Sequence, residues 1–324
     1  MDVLDEILAS LRLNGGVVFD TRTRGDWCVV SQFEAKDCAP WFPVPQRVIS
    51  YHYVRKGRIF SQLPGEDPIE VRAGSMILFP RNDMHLLFTR PGIEPIDLAG
   101  FIGTGGHGAI NSIAMDFGGE EADCYCGWLG VLSGNHPLLD ALPPVLVIGP
   151  EAYAADWITA TLRVAAGDWN ASPAMVAKVS ELLFAQAVRL YAESLGEAQG
   201  GWLAGLRDPA VARALSAIHA HYAEEIDVDA LARTAGVSRT VLGERFARLL
   251  GEPPMRYCAR WRMRVAANAL LDGQESVAGV AYRVGFASEA AFTRAFKREY
   301  GEPPATWKRR TETEAGMAAR AHAA

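Results

Sequence analysis

The feature that most restricts the fold is an internal duplication in the last third of the chain. The segment LARTAGVSRTVLGERFARLLGEPP at 231–254 is followed, about 50 residues later, by VAYRVGFASEAAFTRAFKREYGEPP at 280–304. Leu242 and Phe246 of the first copy correspond to Phe292 and Phe296 of the second, and both copies end in GEPP. A repeat of this kind predicts two copies of one small structural unit.

Each copy contains the parts of a helix-turn-helix, in which two short helices flank a tight turn. Gly236 and Gly285 occupy the turns, where a residue that tolerates positive φ is needed. Ser238 and Ser288 follow as N-caps of the second helices. The predicted helices are Val228–Ala235 and Arg239–Leu250 in the first copy, Val277–Val284 and Glu289–Tyr300 in the second, and a linker helix, Met255–Leu271, between the copies.

The apolar spacing of the second helices determines which residues they can expose. Leu242, Phe246 and Leu249 recur at i, i+4 and i+7 and therefore point into a core. Phe292 and Phe296 do the same in the second copy. The faces left outside carry Thr240, Gly243, Glu244 and Arg248 in the first copy and Ala290, Thr293, Arg294 and Lys297 in the second.

Charge is distributed unevenly along the chain, and the distribution is more informative than the net charge of −6. Residues 205–311 contain 17 Lys and Arg against 12 Asp and Glu, and 15 of the 17 are Arg. This segment carries +5, whereas residues 1–204 carry −10. Because phosphates attract cations and Arg also pairs with guanine edges, the positive segment is expected to bind nucleic acid.

Residues 205–310 resemble the DNA-binding domain of AraC/XylS-family transcription regulators along their whole length. The closest stretch is RMRVAANALLDGQESVAGVAYRVGFASEAAFTRAFKREYGEPPATW. The resemblance implies an all-helical module that places two recognition helices in successive major-groove segments of double-stranded DNA. The base-reading positions that it implies are Thr240, Gly243 and Glu244, then Glu289, Ala290, Thr293 and Arg294.

The first recognition helix differs from the second in what it can read. Gly243 has no side chain to reach a base edge, and Glu244 can only accept a hydrogen bond, as from cytosine N4. Arg239, Lys297 and Arg298 are assigned to phosphates, where they position the protein without specifying sequence.

The first half of the chain has a different pattern, with short β-rich runs separated by Gly and Pro. Many short strands at close spacing favour an antiparallel barrel or sandwich. The predicted strands between 48 and 79 are Val48–Val54, Arg58–Leu63, Ile69–Arg72 and Ser75–Phe79.

The segment GSMILFPRNDMHLLF at 74–88 is similar to the second motif of cupin domains, with Gly74, Pro80 and His85 in place. Asn82 stands where that motif has glycine, and the first motif, with its HxH and Glu, is absent apart from His52. A cupin-type sensor domain occurs in one branch of the AraC/XylS family. The segment DCYCGWLG at 123–130 is also similar to that branch, which includes regulators that sense reactive chlorine.

His52, His85, Cys124 and Cys126 are the candidate metal-binding or redox-active residues of this domain. Cys124 and Cys126 share a face of a strand at i, i+2. Thiolates with imidazoles would suit zinc or another transition metal such as reduced copper. The alternative is ordinary packing, since buried cysteines often behave as small hydrophobes. No cofactor is therefore certain.

Two helices are predicted after the β-rich region, Ala152–Ala166 and Ser172–Leu195. The second carries an apolar stripe that either packs against the barrel or pairs with its copy in a homodimer. Its members are Val176, Val179, Leu183, Ala187 and Leu190.

Composition places the chain in the cytoplasm. No run approaches the ~18 apolar residues of a membrane helix, and the acidic N-terminus does not resemble a signal peptide. The five cysteines form no dense framework, as expected in a reducing compartment.

The sequence thus predicts an α+β chain with an antiparallel, cupin-like barrel and an all-α double helix-turn-helix domain. The boundaries are 1–150 for the sensor domain, 151–204 for a helical linker and dimerisation segment, 205–311 for the DNA-binding domain and 312–324 for a disordered tail. The function predicted is a DNA-binding transcription regulator, controlled by a small-molecule, metal or redox signal.

The expected partners are an operator with repeated half-sites, a second copy of the chain, an unknown small-molecule effector and, for an activator, RNA polymerase. Activation is the working expectation, although the sequence does not distinguish it from repression. The alternative function is a cupin metalloenzyme, an isomerase or dioxygenase, with a helical appendage. That alternative lacks the HxH and Glu of a metal triad and leaves the duplication unexplained.

Overall fold

The computed structural model describes residues 3–11, 13–33, 45–98, 101–103, 110–131, 136–150, 173–195, 202–273 and 275–311. The chain divides into two compact units. The β unit comprises Leu13–Gly134 and Leu142–Glu193, and the helical unit comprises Met1–Arg12, Asn135–Ala141 and Ser194–Ala324. The predicted helix at 152–166, Cys38 and the predicted tail at 312–324 lie outside the described residues.

The strands all belong to the β unit. They are β1 Leu13–Arg24, β2 Cys28–Ser31, β3 Arg47–Lys56, β4 Arg58–Gln62, β5 Ile69–Arg72, β6 Met76–Phe79, β7 His85–Phe88, β8 Ile102–Gly103, β9 Ile110–Asp116, β10 Asp123–Val131 and β11 Leu146–Ile148.

The helices belong to the helical unit, apart from α3, nearly all of which lies in the β unit. They are α1 Val3–Ser10, α2 Pro137–Ala141, α3 Pro173–Ser194, α4 Trp202–Gly205, α5 Pro209–His221, α6 Val228–Ala235, α7 Arg239–Leu250, α8 Pro254–Asp272, α9 Val277–Arg283, α10 Glu289–Tyr300 and α11 304–311. Among the described residues, no helix has both the length and the hydrophobicity needed to cross a membrane.

The strands form two sheets in the order β11-β6-β3-β10-β1-β9-β8 and β2-β7-β4-β5. The predicted α+β class, with a cupin-like β domain and a helical domain, is confirmed. One pairing differs from the predicted antiparallel arrangement, because β1 runs parallel to β9. The other described pairings are antiparallel.

The core of the β unit contains side chains from both sheets. Phe79 and Trp128 come from the larger sheet, and Val29 and Leu87 from the smaller. Strand alternation decides which residues of β10 take part. Cys124, Cys126 and Trp128 lie in or against the core, whereas the hydroxyl of Tyr125 accepts a hydrogen bond from Arg55, 3.1 Å away.

Asn82 explains one departure from the cupin motif. It follows β6 with φ of 55°, in the left-handed region that glycine occupies most easily. Asn tolerates this conformation better than most other residues with a side chain. The replacement of the motif's glycine therefore keeps the backbone path of the turn before β7.

The apolar stripe on α3 packs within the β unit. Leu183 and Ala187 are fully buried, and the hydroxyl of Ser180 lies 2.9 Å from that of Tyr51 on β3. These stripe residues are therefore already covered in a single chain. Leu182 lies beside the stripe on α3, and its side chain is 51% exposed. Dimerisation through segment 151–204 stays a prediction.

Local signals at the two repeats have the predicted effect. The helices α6, α7 and α10 begin and end at the predicted residues, and α8 and α9 differ by one residue at their ends. The hydroxyls of Ser238 and Ser288 accept hydrogen bonds from the backbone N–H of Val241 and Ala291, each at 3.3 Å. Both N-caps of the second helices are thus confirmed.

The helix α1 packs in the helical unit, although the predicted sensor domain began at residue 1. Val3, Leu4 and Ile7 of this helix are buried. Burial lowers the pKa of His219 on α5 to about 3, so its imidazole is neutral. Its Nδ1–H donates to Glu6 of α1 at 3.2 Å, and its Nε2 accepts from the Tyr257 hydroxyl at 2.9 Å.

The two turn glycines allow a matched test of the repeat. Both have positive φ, 72° at Gly236 and 82° at Gly285. We expect Gly236→Ala to lower the free energy of unfolding by roughly 1–2 kcal/mol, the usual cost of this conformation. Gly285→Ala should cost clearly more, because its Cβ would lie 2.2 Å from the Ala223 carbonyl oxygen. Urea unfolding, monitored by circular dichroism, measures the free energy of unfolding of both variants. Equal losses in the two variants would contradict the close packing of Ala223 against Gly285.

Candidate nucleic-acid interface and sensor cavity

The second helices of the two repeats present the same surface pattern. Along their twelve residues, α7 and α10 have an identical order of exposed, half-buried and buried positions. Leu242 and Phe246 are fully buried, as are Phe292 and Phe296. Positions 50 residues apart are therefore structurally equivalent, so the two helices expose corresponding faces.

The predicted base-reading residues lie on these outward faces. Thr240, Glu244, Ala290 and Arg294 are exposed. Glu289, at the first position of α10, is also exposed, and the equivalent residue of α7 is Arg239. Gly243 and Thr293 are equivalent and half-buried. A Cβ added at Gly243 would meet no atom within 4 Å, so this part of α7 has open space in front of it.

Most cations on the same faces make no close ion pair with another described residue. Arg294, Lys297 and Arg298 are exposed and make no ion pair within the part of the chain that the structure describes. Arg239 lies 3.7 Å from Asp229, a loose exposed pair. Arg248 is equivalent to Arg298 and is also exposed, although it was not predicted from the sequence as a phosphate contact. The burial pattern of α10, transferred to α7, is the signal that identifies it.

Arginines of α8 behave differently, since most are engaged within the protein. Arg260 contacts two carboxylates. Arg262 donates to the backbone carbonyls of Tyr222 and Glu224. Arg264 is buried, and burial lowers its pKa. Most of the positive charge of α8 therefore serves the internal structure of the helical unit. Among the described residues, α7 and α10 carry exposed cations that are better placed to contact a partner.

The β unit contains a cavity of about 80 Å³ lined by residues of both sheets. Nearly all of its wall is apolar, with Phe19, Trp27 and Leu87 among the contributors. Apolar cavities of this kind stay dry and can take up small apolar molecules. The candidate residues His52, Cys124 and Cys126 all line it.

His52 and His85 are hydrogen-bonded to each other inside the β unit. Their Nε2 atoms lie 2.8 Å apart, and His85 Nδ1 lies 2.8 Å from the Asp83 carbonyl oxygen. A carbonyl only accepts, so His85 donates through Nδ1 and accepts at Nε2 from His52. The Nδ1 of His52 is then an acceptor, and it has no hydrogen-bond partner among the described residues.

Both cysteines of the cavity are thiols with little tendency to ionise. Burial raises the pKa of Cys126 to about 12 and raises that of Cys124 well above its ordinary value. The thiolate is the form that reacts with oxidants and binds metals. In this structure the two cysteines therefore line the cavity as uncharged thiols.

The four candidate residues do not fit a zinc site as they stand. Two imidazole ligands of a tetrahedral zinc are separated by about 3.3 Å, given Zn–N bonds of 2.0–2.1 Å. The His52–His85 distance of 2.8 Å is instead that of a hydrogen bond. No group of three or more His, Cys, Asp or Glu suited to a metal ion occurs within the described ranges.

Comparison with known proteins connects both units to one family. Residues 2–193 match the family described as Cupin, and residues 231–310 match the family described as Helix-turn-helix domain. AraC-like transcription regulators of Streptomyces lividans and Streptomyces antibioticus are each 31% identical over 95% of this chain, covering 98% and 99% of the relatives. The RCS-specific transcriptional activator RclR of Escherichia coli is 22% identical over 81% of this chain and 85% of its own.

Two equivalent exposed helices with free cations, on a duplicated helix-turn-helix, define a DNA-binding transcription regulator. The chain belongs to the AraC-like transcription regulators and carries a cupin-type N-terminal domain.

The buried histidines predict a pH dependence of the β unit. Burial lowers the pKa of His85 to about 4 and that of His52 well below 6.5. Stability is therefore complete above pH 6.5 and falls as the pH drops towards 4, because only the unfolded chain takes up the protons. Between pH 6.5 and pH 5 the parent should lose free energy of unfolding, and we expect His85→Gln to make this loss smaller by roughly 2 kcal/mol.

Urea unfolding at several pH values measures this change. His221→Gln is the control, since the His221 side chain is 59% exposed. If acid lowered the free energy of unfolding equally in His85→Gln and in the parent, the neutral, buried state of His52 and His85 would be contradicted.

Proposed function

We propose that the chain is a sequence-specific regulator in which α7 and α10 enter two major-groove segments about one helical turn apart. The observation that carries this proposal is the identical burial pattern of the two helices, with their free cations on the outward faces. The asymmetry of charge between 205–311 and 1–204 supports the same assignment.

The two helices are assigned unequal roles. On α10, Arg294 is the side chain best suited to a guanine edge, and Thr293 lies one position before it on the same face. On α7, the equivalent positions are Glu244 and Gly243, which offer one acceptor and no side chain. Lys297, Arg298 and the newly identified Arg248 are assigned to phosphates. The half of the operator under α10 should therefore be the more strictly specified.

Two substitutions on α10 separate base contact from phosphate contact. Arg294→Ala should weaken binding to a duplex selected in vitro by about 1–3 kcal/mol and relax specificity in one half only. Lys297→Ala should weaken binding to all duplexes similarly and reduce the salt slope by about 1. Fluorescence anisotropy at several salt concentrations, with the selected duplex and its variants, measures both effects.

Glu244→Ala, at the position of α7 equivalent to Arg294, is the matched control. It should leave the sequence specificity in the half of the duplex bound by α10 unchanged. If both α10 variants bound the selected duplex as the parent does, α10 would not be a recognition helix.

For the signal, we propose a small, predominantly apolar molecule bound in the cavity of the β unit. Support comes from the apolar wall and from the raised pKa of both thiols, which disfavours metal or oxidant chemistry there. His52 Nδ1 adds one unsatisfied acceptor to the lining residues, suited to a ligand with a single hydrogen-bond donor. Metal or redox sensing at His52, His85, Cys124 and Cys126 stays as the alternative.

The remaining partners follow from DNA recognition. A homodimer would bring two helical units to repeated half-sites, and an activator would also contact RNA polymerase. Access to chromosomal DNA supports a cytoplasmic location. No described residue cluster specifically favours the cupin enzyme, whose HxH and Glu are absent from the sequence.

Two substitutions of Cys126 distinguish the proposed signals. Cys126→Ala removes the thiol and enlarges the cavity, whereas Cys126→Leu removes the thiol and fills the space. If a small apolar molecule is the signal, the Ala variant should respond and the Leu variant should not. A reporter-gene assay measures the response to short alkanes, monocyclic aromatics, oxidants and divalent metals.

If the thiol is the sensor, both variants lose the response to oxidant or metal. If neither variant loses the response, the signal is sensed elsewhere. DNA affinity of each variant, measured without effector, should equal that of the parent and serves as the control.

A further inference from the structure

The helix α8 contacts both recognition helices along its length. Near its start, Tyr257 packs edge-on against Phe246 of α7, with ring centroids 6.3 Å apart. Further along, Met263 and Leu270 belong to the core that contains Phe292 of α10. The orientation of α7 relative to α10 therefore depends on the contacts that each of these helices makes with α8.

Arg260 lies at that point and contacts a carboxylate from each repeat. Its Nη1 is 3.4 Å from Glu252 Oε1, two residues after the end of α7. Its Nε is 3.1 Å from Glu299 Oε1, one residue before the end of α10. Glu252 and Glu299 are 47 residues apart in the sequence. Arg260 thus joins the C-terminal ends of the two recognition helices.

The setting makes these contacts stronger than surface ion pairs. The side chain of Glu252 is only 9% exposed, and those of Arg260 and Glu299 are 37% and 30% exposed. Partial burial reduces screening by water and salt. The planar guanidinium also restricts the directions in which the two carboxylates can bind.

The duplication supplies an internal comparison. In the second copy, Arg310 donates to Glu302 at 2.7 Å. Each Glu belongs to a GEPP segment, and each Arg follows its Glu by eight residues. Arg310 and Glu302 both lie after α10, so this bond connects no element of the first copy. Arg260, by contrast, contacts Glu252 of the first copy and Glu299 of the second.

We propose that Arg260 is a positioning residue that sets the spacing and angle of α7 relative to α10, and so the spacing of the two DNA segments that the protein accepts. This inference rests on the proposed binding of both helices to DNA. It predicts that loss of Arg260 affects the choice between spacings more than the reading of bases.

The test measures affinity for a duplex selected in vitro with the full chain, and for versions with one base pair added or removed between the two segments. One base pair rotates the second segment by about 35°. We expect the parent to discriminate strongly, and Arg260→Gln and Glu299→Gln each to reduce the ratio of affinities about fivefold, the effect of a partly buried ion pair. Discrimination between single-base variants at constant spacing should not change.

Arg310→Gln is the matched control, and it should retain the spacing preference of the parent. Circular dichroism checks folding; if Arg260→Gln does not fold, Glu299→Gln, which leaves the Arg260–Glu252 pair intact, decides the question. Spacing discrimination equal to the parent in the folded variants, or an equal loss in Arg310→Gln, would overturn the inference. A parent protein without any spacing preference would instead overturn the proposed use of both helices.

Discussion

Burial of two apolar side chains on each recognition helix is the constraint on which the DNA-binding surface depends. Leu242 and Phe246 on α7, like Phe292 and Phe296 on α10, are wholly removed from water. Burying side chains of this size contributes roughly 1.5–3 kcal/mol each, far more than any exposed charge on the same helix. Their position on the helix therefore determines its rotation, and the outward face can vary without changing the fold.

Arginine has two distinct roles in the helical unit, and burial separates them. Arg260, Arg262 and Arg264 on α8 are held by carboxylates, carbonyls or a buried environment. Arg294 and Arg298 on α10 are exposed and lack internal ion pairs among the described residues. A positive segment in the sequence indicates an affinity for nucleic acid, but only the structure shows which of its charges are available.

Features that depend on local sequence were predictable, and features that depend on distant contacts were not. The ends of α7 and α10 follow from Ser N-caps and terminal glycines, so they were located correctly. The parallel pairing of β1 with β9 and the packing of α1 join segments about 90 and 200 residues apart. His52 and His85 were both candidates from the sequence, but their direct hydrogen bond depends on how the two sheets pack, because β3 and β7 belong to different sheets. No local sequence pattern reports that packing.

The division of the chain has a consequence for how the two units are connected. The boundary between the units is crossed four times, after residues 12, 134, 141 and 193. The strand β1, with Phe19 and Thr21 in the cavity wall, begins three residues after α1 ends, and β10, with Cys124 and Cys126, ends six residues before α2 begins. Two strands that line the cavity are thus close in sequence to helices of the helical unit. The two units are therefore connected by the chain at four points, and not only through the segment between α3 and α4.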